Sequence, residues 1–235
     1  MHVNQLVKGK GLLSPYHIFV LPGGFTYGDD IAAGKVLANQ LRQQILDELT
    51  RFIDDGKLII GICNGFQVLM KMGLLPEVKG TQTSSSGNKQ RFTLTYNDSN
   101  KFEDRWVYLK SASNKSVFVD NDSFMYVPIA HAEGKFVAED SEDIEKLDKS
   151  GQIVFKYVDK DGSMADYPWN PNGSSGSIAG VCDSTGRVLG MMPHPERHID
   201  PTQHPRWTRE GLKAEGDGIA IFRNAVNYIN RTFSS

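Results

Sequence analysis

Residues 57–67 read Lys57-Leu58-Ile59-Ile60-Gly61-Ile62-Cys63-Asn64-Gly65-Phe66-Gln67. The run 58–62 has no polar position, which is typical of a strand buried on both faces of a parallel sheet. Gly61-Ile62-Cys63-Asn64-Gly65 then has the form of a nucleophile elbow, a tight strand-to-helix turn in which glycines flank a reactive residue. Residues 68–72 follow at helical spacing, and Gly73 is a typical helix end. The stretch therefore predicts a strand, an elbow and a helix.

The predicted elbow gives Cys63 a specific chemistry. Its thiol would project at the carboxyl edge of the sheet, beside the positive end of the next helix, where the reactive thiolate is favoured. The alternative is a structural cysteine between two turn glycines, but the strand and helix on either side favour the elbow. Cys182 lies in the apolar run 178–182 without such a turn, so we predict that it belongs to the core.

The sequence before this stretch shows the same alternation of strand and helix. Residues 17–21 are a compact apolar run that ends at Pro22-Gly23-Gly24, as a buried strand followed by a turn would. Apolar residues then recur at helical spacing over 37–53, and Gly56 stands where that helix would end. Two apolar strands, each followed by a helix, indicate a parallel sheet.

The remainder of the chain predicts further elements around this unit. The Ser/Thr/Gly-rich residues 80–90 are expected to form a loop. The patterning predicts strands at 91–96, 106–109, 116–119 and 188–192. It also predicts helices at 141–149, with Ser141 as N-cap, and at 219–229. The stretches between 91 and 119 alternate polar and apolar residues, which favours antiparallel strands added to the sheet. We expect an α/β fold with a mostly parallel central sheet, helices on both faces and a single domain spanning 1–235.

Composition excludes several classes of function. The 235 residues include 26 Lys and Arg and 28 Asp and Glu, a net charge of −2. This balance argues against a nucleic-acid partner or an anionic membrane surface, since both need a basic excess. No apolar run approaches the length of a membrane span, and residues 1–5 lack the pattern of a secretion signal. The sequence therefore predicts a soluble cytoplasmic protein without a membrane partner.

A cysteine nucleophile needs a group that moves protons, usually a histidine held by an acid. Two His-x-Glu pairs are available, His131 with Glu133 and His194 with Glu196. In an extended chain, positions two apart face the same way. The second pair directly follows an apolar strand between two prolines, so the residues favour it, but they leave the first pair open. Either pair could also be a solvated polar turn.

Two further features bear on the site. Pro22-Gly23-Gly24-Phe25 leaves backbone N–H groups that, with the N–H of Asn64, could hold a developing oxyanion, although such glycine pairs are mostly ordinary turns. His194, Glu196 and His198 alternate like metal ligands, but no further cysteine or histidine cluster completes a site. We therefore predict no metal site.

Three motifs together resemble a known family. They are Pro22-Gly23-Gly24-Phe25-Thr26-Tyr27-Gly28-Asp29, Gly61-Ile62-Cys63-Asn64-Gly65-Phe66-Gln67 and Met192-Pro193-His194-Pro195-Glu196-Arg197. They resemble class I glutamine amidotransferases, which have a flavodoxin-like fold. Asn64-Gly65-Phe66-Gln67 and Ala130-His131-Ala132-Glu133-Gly134 are similar in particular to the glutaminase subunits of phosphoribosylformylglycinamidine synthase, an enzyme of purine biosynthesis.

The resemblance implies roles for individual residues. Cys63 would attack the side-chain amide of glutamine, His194 would protonate the departing ammonia, and Glu196 would orient the imidazole. The substrate-binding residues implied in this way are Gly23, Gly24, Phe25, Asn64, Gln67 and His131, with backbone groups of Gly24 and Asn64 as the oxyanion hole. The choice between the two His-x-Glu pairs then falls on His194 and Glu196.

The resemblance also implies partners. Ammonia would pass to a large ATP-dependent synthetase subunit, often bridged by a small third subunit, so ATP and Mg²⁺ would bind that partner and this chain would need no cofactor. Family members usually begin with a strand and a helix, and the resemblance predicts that this chain lacks both and starts at the family's second strand, over residues 2–7. The alternatives are a glutaminase subunit of another synthase and a non-catalytic docking subunit.

Overall fold

A computed structural model of the chain describes residues 2–8, 13–29, 31–76 and 91–234. Its helices and strands are α1 (Val3–Lys8), β1 (Ile18–Leu21), α2 (Lys35–Asp54), β2 (Leu58–Ile62), α3 (Asn64–Met72), β3 (Phe92–Tyr96), β4 (Glu103–Ser111), β5 (Phe124–His131), β6 (Glu133–Ala138), α4 (Ser141–Lys149), β7 (Ile153–Val158), β8 (Ile178–Cys182), β9 (Val188–Met191), α5 (Trp207–Glu210) and α6 (Ile219–Phe233). The predicted loop at 80–90 lies outside the described residues.

The described strands form a seven-stranded sheet in the order β1-β2-β9-β8-β7-β4-β5, and β3 pairs with β6 in a separate sheet. Strands β1, β2 and β9 are parallel. The other four extend this unit through antiparallel pairs. The predicted α/β class is therefore confirmed, together with the added antiparallel strands.

The core is built around β2 and the helices beside it. Every residue of β2 is buried, as expected of a strand with apolar side chains on both faces. Helix α2 buries a stripe of apolar residues at helical spacing, namely Leu37, Leu41, Ile45, Leu49 and Phe52. Helix α6 adds Ile221 and Ala225 to the same core. Among the described residues, the structure contains no helix with the length and hydrophobicity that a bilayer crossing requires.

Two local predictions were wrong for identifiable reasons. Residues 116–119 are a turn and not a strand, because the backbone N–H of Val119 donates to the carbonyl of Ser116 at 3.2 Å and closes the chain on itself. The N-cap of α4 is Asp140 and not Ser141, since the Asp140 carboxylate accepts from the Glu142 backbone at 2.8 Å.

Two further predictions need correction. Residues 3–8 form helix α1 and not the strand that the family resemblance implied. Strand β3 pairs with β6 outside the central sheet, so only the later part of the predicted antiparallel region extends that sheet.

Candidate active site

The candidate site lies where the parallel strands end. Leu21 of β1 is opposite Gly61 of β2, and Ile62 of β2 is opposite Met191 of β9. Because parallel strands in register end at one edge of a sheet, the residues that follow them meet there. Those residues are the Pro22-Gly23-Gly24 turn, Cys63 and His194.

The sheet curls, so β5 reaches the same place. Counting the pairings from β9 outward, β5 runs in the same direction as β9, and its last residue, His131, lies at the carboxyl edge. The backbone N–H of His194 donates to the carbonyl of Pro128 at 2.8 Å. The Cys63 thiol lies 3.6 Å from the carbonyl oxygen of Ala130. The end of β5 therefore forms one wall of the site.

Cys63 has the backbone strain of a nucleophile elbow. Its φ is 51° and its ψ is −106°, and it is the N-cap of α3. Non-glycine residues rarely adopt positive φ, and such strain concentrates at functional sites. The turn needs its flanking glycines. A Cβ on Gly61 would lie 2.7 Å from the carbonyl oxygen of Gly65, and a Cβ on Gly65 would overlap the carbonyl oxygen of Leu21. The geometry is the one predicted for the elbow.

A hydrogen bond to Glu196 fixes the orientation of the His194 imidazole. The imidazole is buried, and its Nδ1 lies 2.5 Å from Oε1 of Glu196. A carboxylate can only accept, so Nδ1 carries the proton and Nε2 is left to exchange protons with a reacting group. Nε2 of His194 has no hydrogen-bond partner within the described parts of the chain. The pair has the arrangement of a base and its orienting acid.

Gly23 brings Cys63 and His194 together. A Cβ on Gly23 would lie 2.6 Å from Cε1 of His194 and 3.4 Å from Cβ of Cys63. Both side chains therefore pack against the same point of the backbone, which only glycine leaves open. The structure thus brings the three residues predicted to be catalytic to one place, although their roles remain predictions.

A cavity of about 270 Å³ opens beside the thiol. Its described lining consists of Gly24, Phe25, Gly28, Ala33, Cys63, Gln67, Ala130, His131, Ala132 and Glu133. Ligand pockets for drug-sized molecules start at about 300 Å³, so this volume suits a small molecule such as an amino acid. Five of the predicted substrate-binding and catalytic residues line it; His194 and Gly23 lie against each other at its side.

A chain of hydrogen bonds joins the walls of this cavity. Thr26 Oγ1 donates to Asn64 Oδ1 at 2.6 Å, and Asn64 Nδ2 donates to Gln67 Oε1 at 3.1 Å. Gln67 Nε2 in turn donates to the carbonyl of Glu133 at 2.5 Å. Asn64 and Gln67 therefore position both walls relative to the nucleophile.

His131 is neutral and fixed in one tautomer. Its Nδ1 lies 3.0 Å from Oδ1 of Asn97, and this oxygen also accepts from the Gly134 backbone at 3.2 Å. Asn97 Nδ2 donates to the carbonyls of Lys101 and His131, which fixes the orientation of the amide. Burial, with a smaller effect of nearby His194, lowers the pKa of His131 to about 4. His131 therefore pairs with Asn97 and not with Glu133.

Sequence reasoning missed the supporting residues. Asn97 and Asn172 are buried, and Asn172 Nδ2 donates to the carbonyl of Gly134 at 2.8 Å. Each follows a strand or lies in a turn-rich loop, where asparagine is common, so the sequence carries no signal for this role. Cys182 is fully buried in β8, as predicted. Within the described ranges, no group of three or more His, Cys, Asp and Glu residues could hold a metal ion.

A strained cysteine beside a histidine–carboxylate pair is typical of enzymes that transfer acyl groups through a thioester. The sequence-family model that describes the CobB/CobQ-like glutamine amidotransferase domain matches residues 1–229 of this chain. The phosphoribosylformylglycinamidine synthase subunit PurQ of Dehalococcoides mccartyi is 44% identical over 97% of this chain and 86% of its own length. The PurQ subunit of Methanococcus maripaludis is 41% identical over 98% and 87%.

Solved structures agree with these relatives. The PurLQS structure from Thermotoga maritima matches with a TM-score of 0.66 and 32% identity, covering 91% of this chain and 80% of that chain. A glutamine amidotransferase of the same organism, at 14% identity and a TM-score of 0.51, covers 100% and 86% and shares the fold. This chain belongs to the CobB/CobQ-like glutamine amidotransferase family and, within it, to the PurQ subunits of phosphoribosylformylglycinamidine synthase.

Proposed function

We propose that this chain is the glutaminase subunit of a phosphoribosylformylglycinamidine synthase in purine biosynthesis. It converts glutamine and water to glutamate and ammonia. The observation that carries the proposal is the His194–Glu196 pair, 2.5 Å apart, packed with the strained Cys63 around Gly23. The family relationship supplies glutamine as the substrate.

The first half of the reaction forms a thioester. Nε2 of His194 takes the proton of the Cys63 thiol as the sulfur attacks the side-chain carbonyl carbon of glutamine, and the carbonyl oxygen gains the negative charge. His194 delivers a proton from Nε2 to the amide nitrogen, the C–N bond breaks and ammonia leaves. Glu196 accepts the hydrogen bond from Nδ1 throughout and stabilises the positive charge of the imidazolium.

The second half releases glutamate. His194 Nε2 takes a proton from water, and the hydroxide attacks the thioester carbon. The C–S bond then breaks, and Nε2 returns the proton to the sulfur, which restores the Cys63 thiol. The oxyanion forms next to the Gly24 and Asn64 backbone in both halves. Gly24 has a φ of 130°, which is open only to glycine, and it lines the cavity. Its backbone and that of Asn64 at the start of α3 are suited to an oxyanion hole.

Ammonia is the product that a partner must use. The related PurLQS complex suggests that this chain assembles with a synthetase subunit and a small third subunit. We propose that the synthetase binds ATP and Mg²⁺ and that this chain carries no cofactor of its own. The cytoplasmic location predicted from the sequence is part of the same proposal.

Ammonia release from glutamine tests the proposal, measured with the chain alone and with a PurL-type synthetase and its small subunit. We expect release that requires Cys63 and is lost in Cys63→Ala, together with amidine formation in the complete mixture. Release without transfer to this synthetase would favour a glutaminase of another synthase. Absence of release in both mixtures would favour a docking subunit without catalysis.

A further inference from the structure

Among the residues that the structure describes, the cavity is lined by one charged side chain. Of its described lining residues, Glu133 alone carries a carboxylate, and none carries an ammonium or guanidinium group. His131 contributes no charge at neutral pH, because burial lowers its pKa to about 4. The described lining residues therefore give this cavity a single negative charge, that of Glu133.

The backbone on both sides of this glutamate is held firmly. The Glu133 carbonyl accepts from Gln67, and the N–H and carbonyl of Gly134 bond to Asn97 at 3.2 Å and Asn172 at 2.8 Å. Gly134 also packs flat against the His131 ring, since a Cβ on Gly134 would overlap that ring. The position of Glu133 relative to the elbow is therefore fixed from both sides.

The carboxylate of Glu133 takes no part in these backbone hydrogen bonds. The Glu133 side chain makes no hydrogen bond or ion pair with any residue that the structure describes, although the residue is partly buried. Structural carboxylates at partly buried positions normally have a cationic or N–H partner, because withdrawing a charge from water is costly. An unpaired carboxylate on a firmly held backbone position of a ligand cavity is suited to a cationic ligand group.

We propose that Glu133 binds the α-ammonium group of glutamine and thereby selects amides of α-amino acids. The inference rests on the proposed function, since it assigns a specificity residue to the same substrate. Glutamine carries its reactive amide at one end and its ammonium at the other. With the amide at Cys63, the ammonium is the one substrate group whose charge attracts Glu133. The substrate α-carboxylate has the same sign and is directed away from it.

Substrate comparison tests this assignment. Glutaramate is glutamine with hydrogen in place of the α-amino group, so it cannot pair with Glu133. Loss of a charge-assisted hydrogen bond typically reduces affinity about 10- to 100-fold. In the assembled complex, we expect Glu133→Gln to raise the KM for glutamine by about that factor, with kcat nearly unchanged. The kinetics of glutaramate should be the same in both proteins, and Glu133→Asp should restore part of the glutamine affinity.

Binding without turnover separates this inference from the proposed function. Calorimetric titration of Cys63→Ala with glutamine should give a dissociation constant that rises about 10- to 100-fold when Glu133→Gln is added. This result would support Glu133 even if the wild-type chain released no ammonia. Glu145→Gln is the matched control, since Glu145 is an exposed glutamate of α4 outside the cavity. Equal loss with glutamine and glutaramate, or unchanged glutamine affinity in Glu133→Gln, would overturn the assignment.

Discussion

Nδ1 of His194 donates to Oε1 of Glu196 across 2.5 Å, and this bond decides which ring nitrogen is available for proton transfer. Glu196→Gln keeps a side chain of the same shape but removes the charge that stabilises the imidazolium. We expect kcat to fall by about 10²- to 10⁴-fold with a smaller change in KM, as for orienting acids in other triads. Steady-state ammonia release with saturating glutamine measures the effect.

A different His–Glu pair, His204 with Glu210, provides the control for this variant. The exposed Glu210 lies 3.6 Å from Nε2 of His204, and neither residue is among the described lining of the cavity beside Cys63. Glu210→Gln should leave kcat unchanged. If Glu196→Gln kept kcat within about threefold of the wild type, Glu196 would not be the orienting acid.

Gly23 is the point against which Cys63 and His194 both pack. In Gly23→Ala the new methyl would lie 2.6 Å from Cε1 of His194, so the ring must move. Displacement of a catalytic group by about 1 Å can cost 10²-fold in rate. We expect kcat to fall by about this factor while the protein remains folded, as measured by ammonia release together with a thermal unfolding curve.

Gly211→Ala separates this steric effect from the general cost of replacing glycine. A Cβ on Gly211 would meet no atom within 4 Å. Its φ of 89° means that the substitution strains only the local backbone. Equal activity losses in both variants would contradict the role assigned to Gly23.

The parallel part of the fold was readable from the sequence because its signals are local. Strand β2 is a continuous apolar run and α3 ends at a glycine, so neither depends on distant residues. Strand β5 was missed because Pro128 interrupts it. Proline lacks an N–H and is tolerated on edge strands, and β5 is the last strand of the sheet. That position is set by long-range pairing, which composition does not reveal.

The residues of the site could also be predicted from the sequence only where their geometry is local. Cys63 was identified from a five-residue motif whose geometry is local. The partner of His131 was not, because Asn97 is 34 residues earlier in the chain and only the folded sheet brings them together. The sequence offered Glu133 instead, two residues away. In the structure this glutamate lines the cavity, and the hydrogen-bond partner of His131 is Asn97.

The two cysteines should differ in reactivity. Burial, with a smaller effect from Asp183, raises the pKa of Cys182 to about 12, and its side chain is inaccessible. Cys63 lines the cavity. Iodoacetamide at pH 8 should therefore modify the native protein at Cys63 alone, and Cys63→Ala should incorporate label only after denaturation. Peptide mapping by mass spectrometry gives the site, and rapid labelling of native Cys182 would contradict the buried position.

The buried His131 should make the fold sensitive to mild acid. Its pKa is about 4 in the folded protein and about 6.5 in the unfolded chain. The unfolded state therefore binds more protons between these values, so stability is complete above pH 6.5 and falls as the pH drops toward 4. The contribution is on the order of 3 kcal/mol. Urea unfolding of His131→Gln should show a smaller stability loss between pH 7 and pH 4.5 than the wild type. The exposed His2→Gln should behave like the wild type, and equal losses in all three proteins would contradict the assignment.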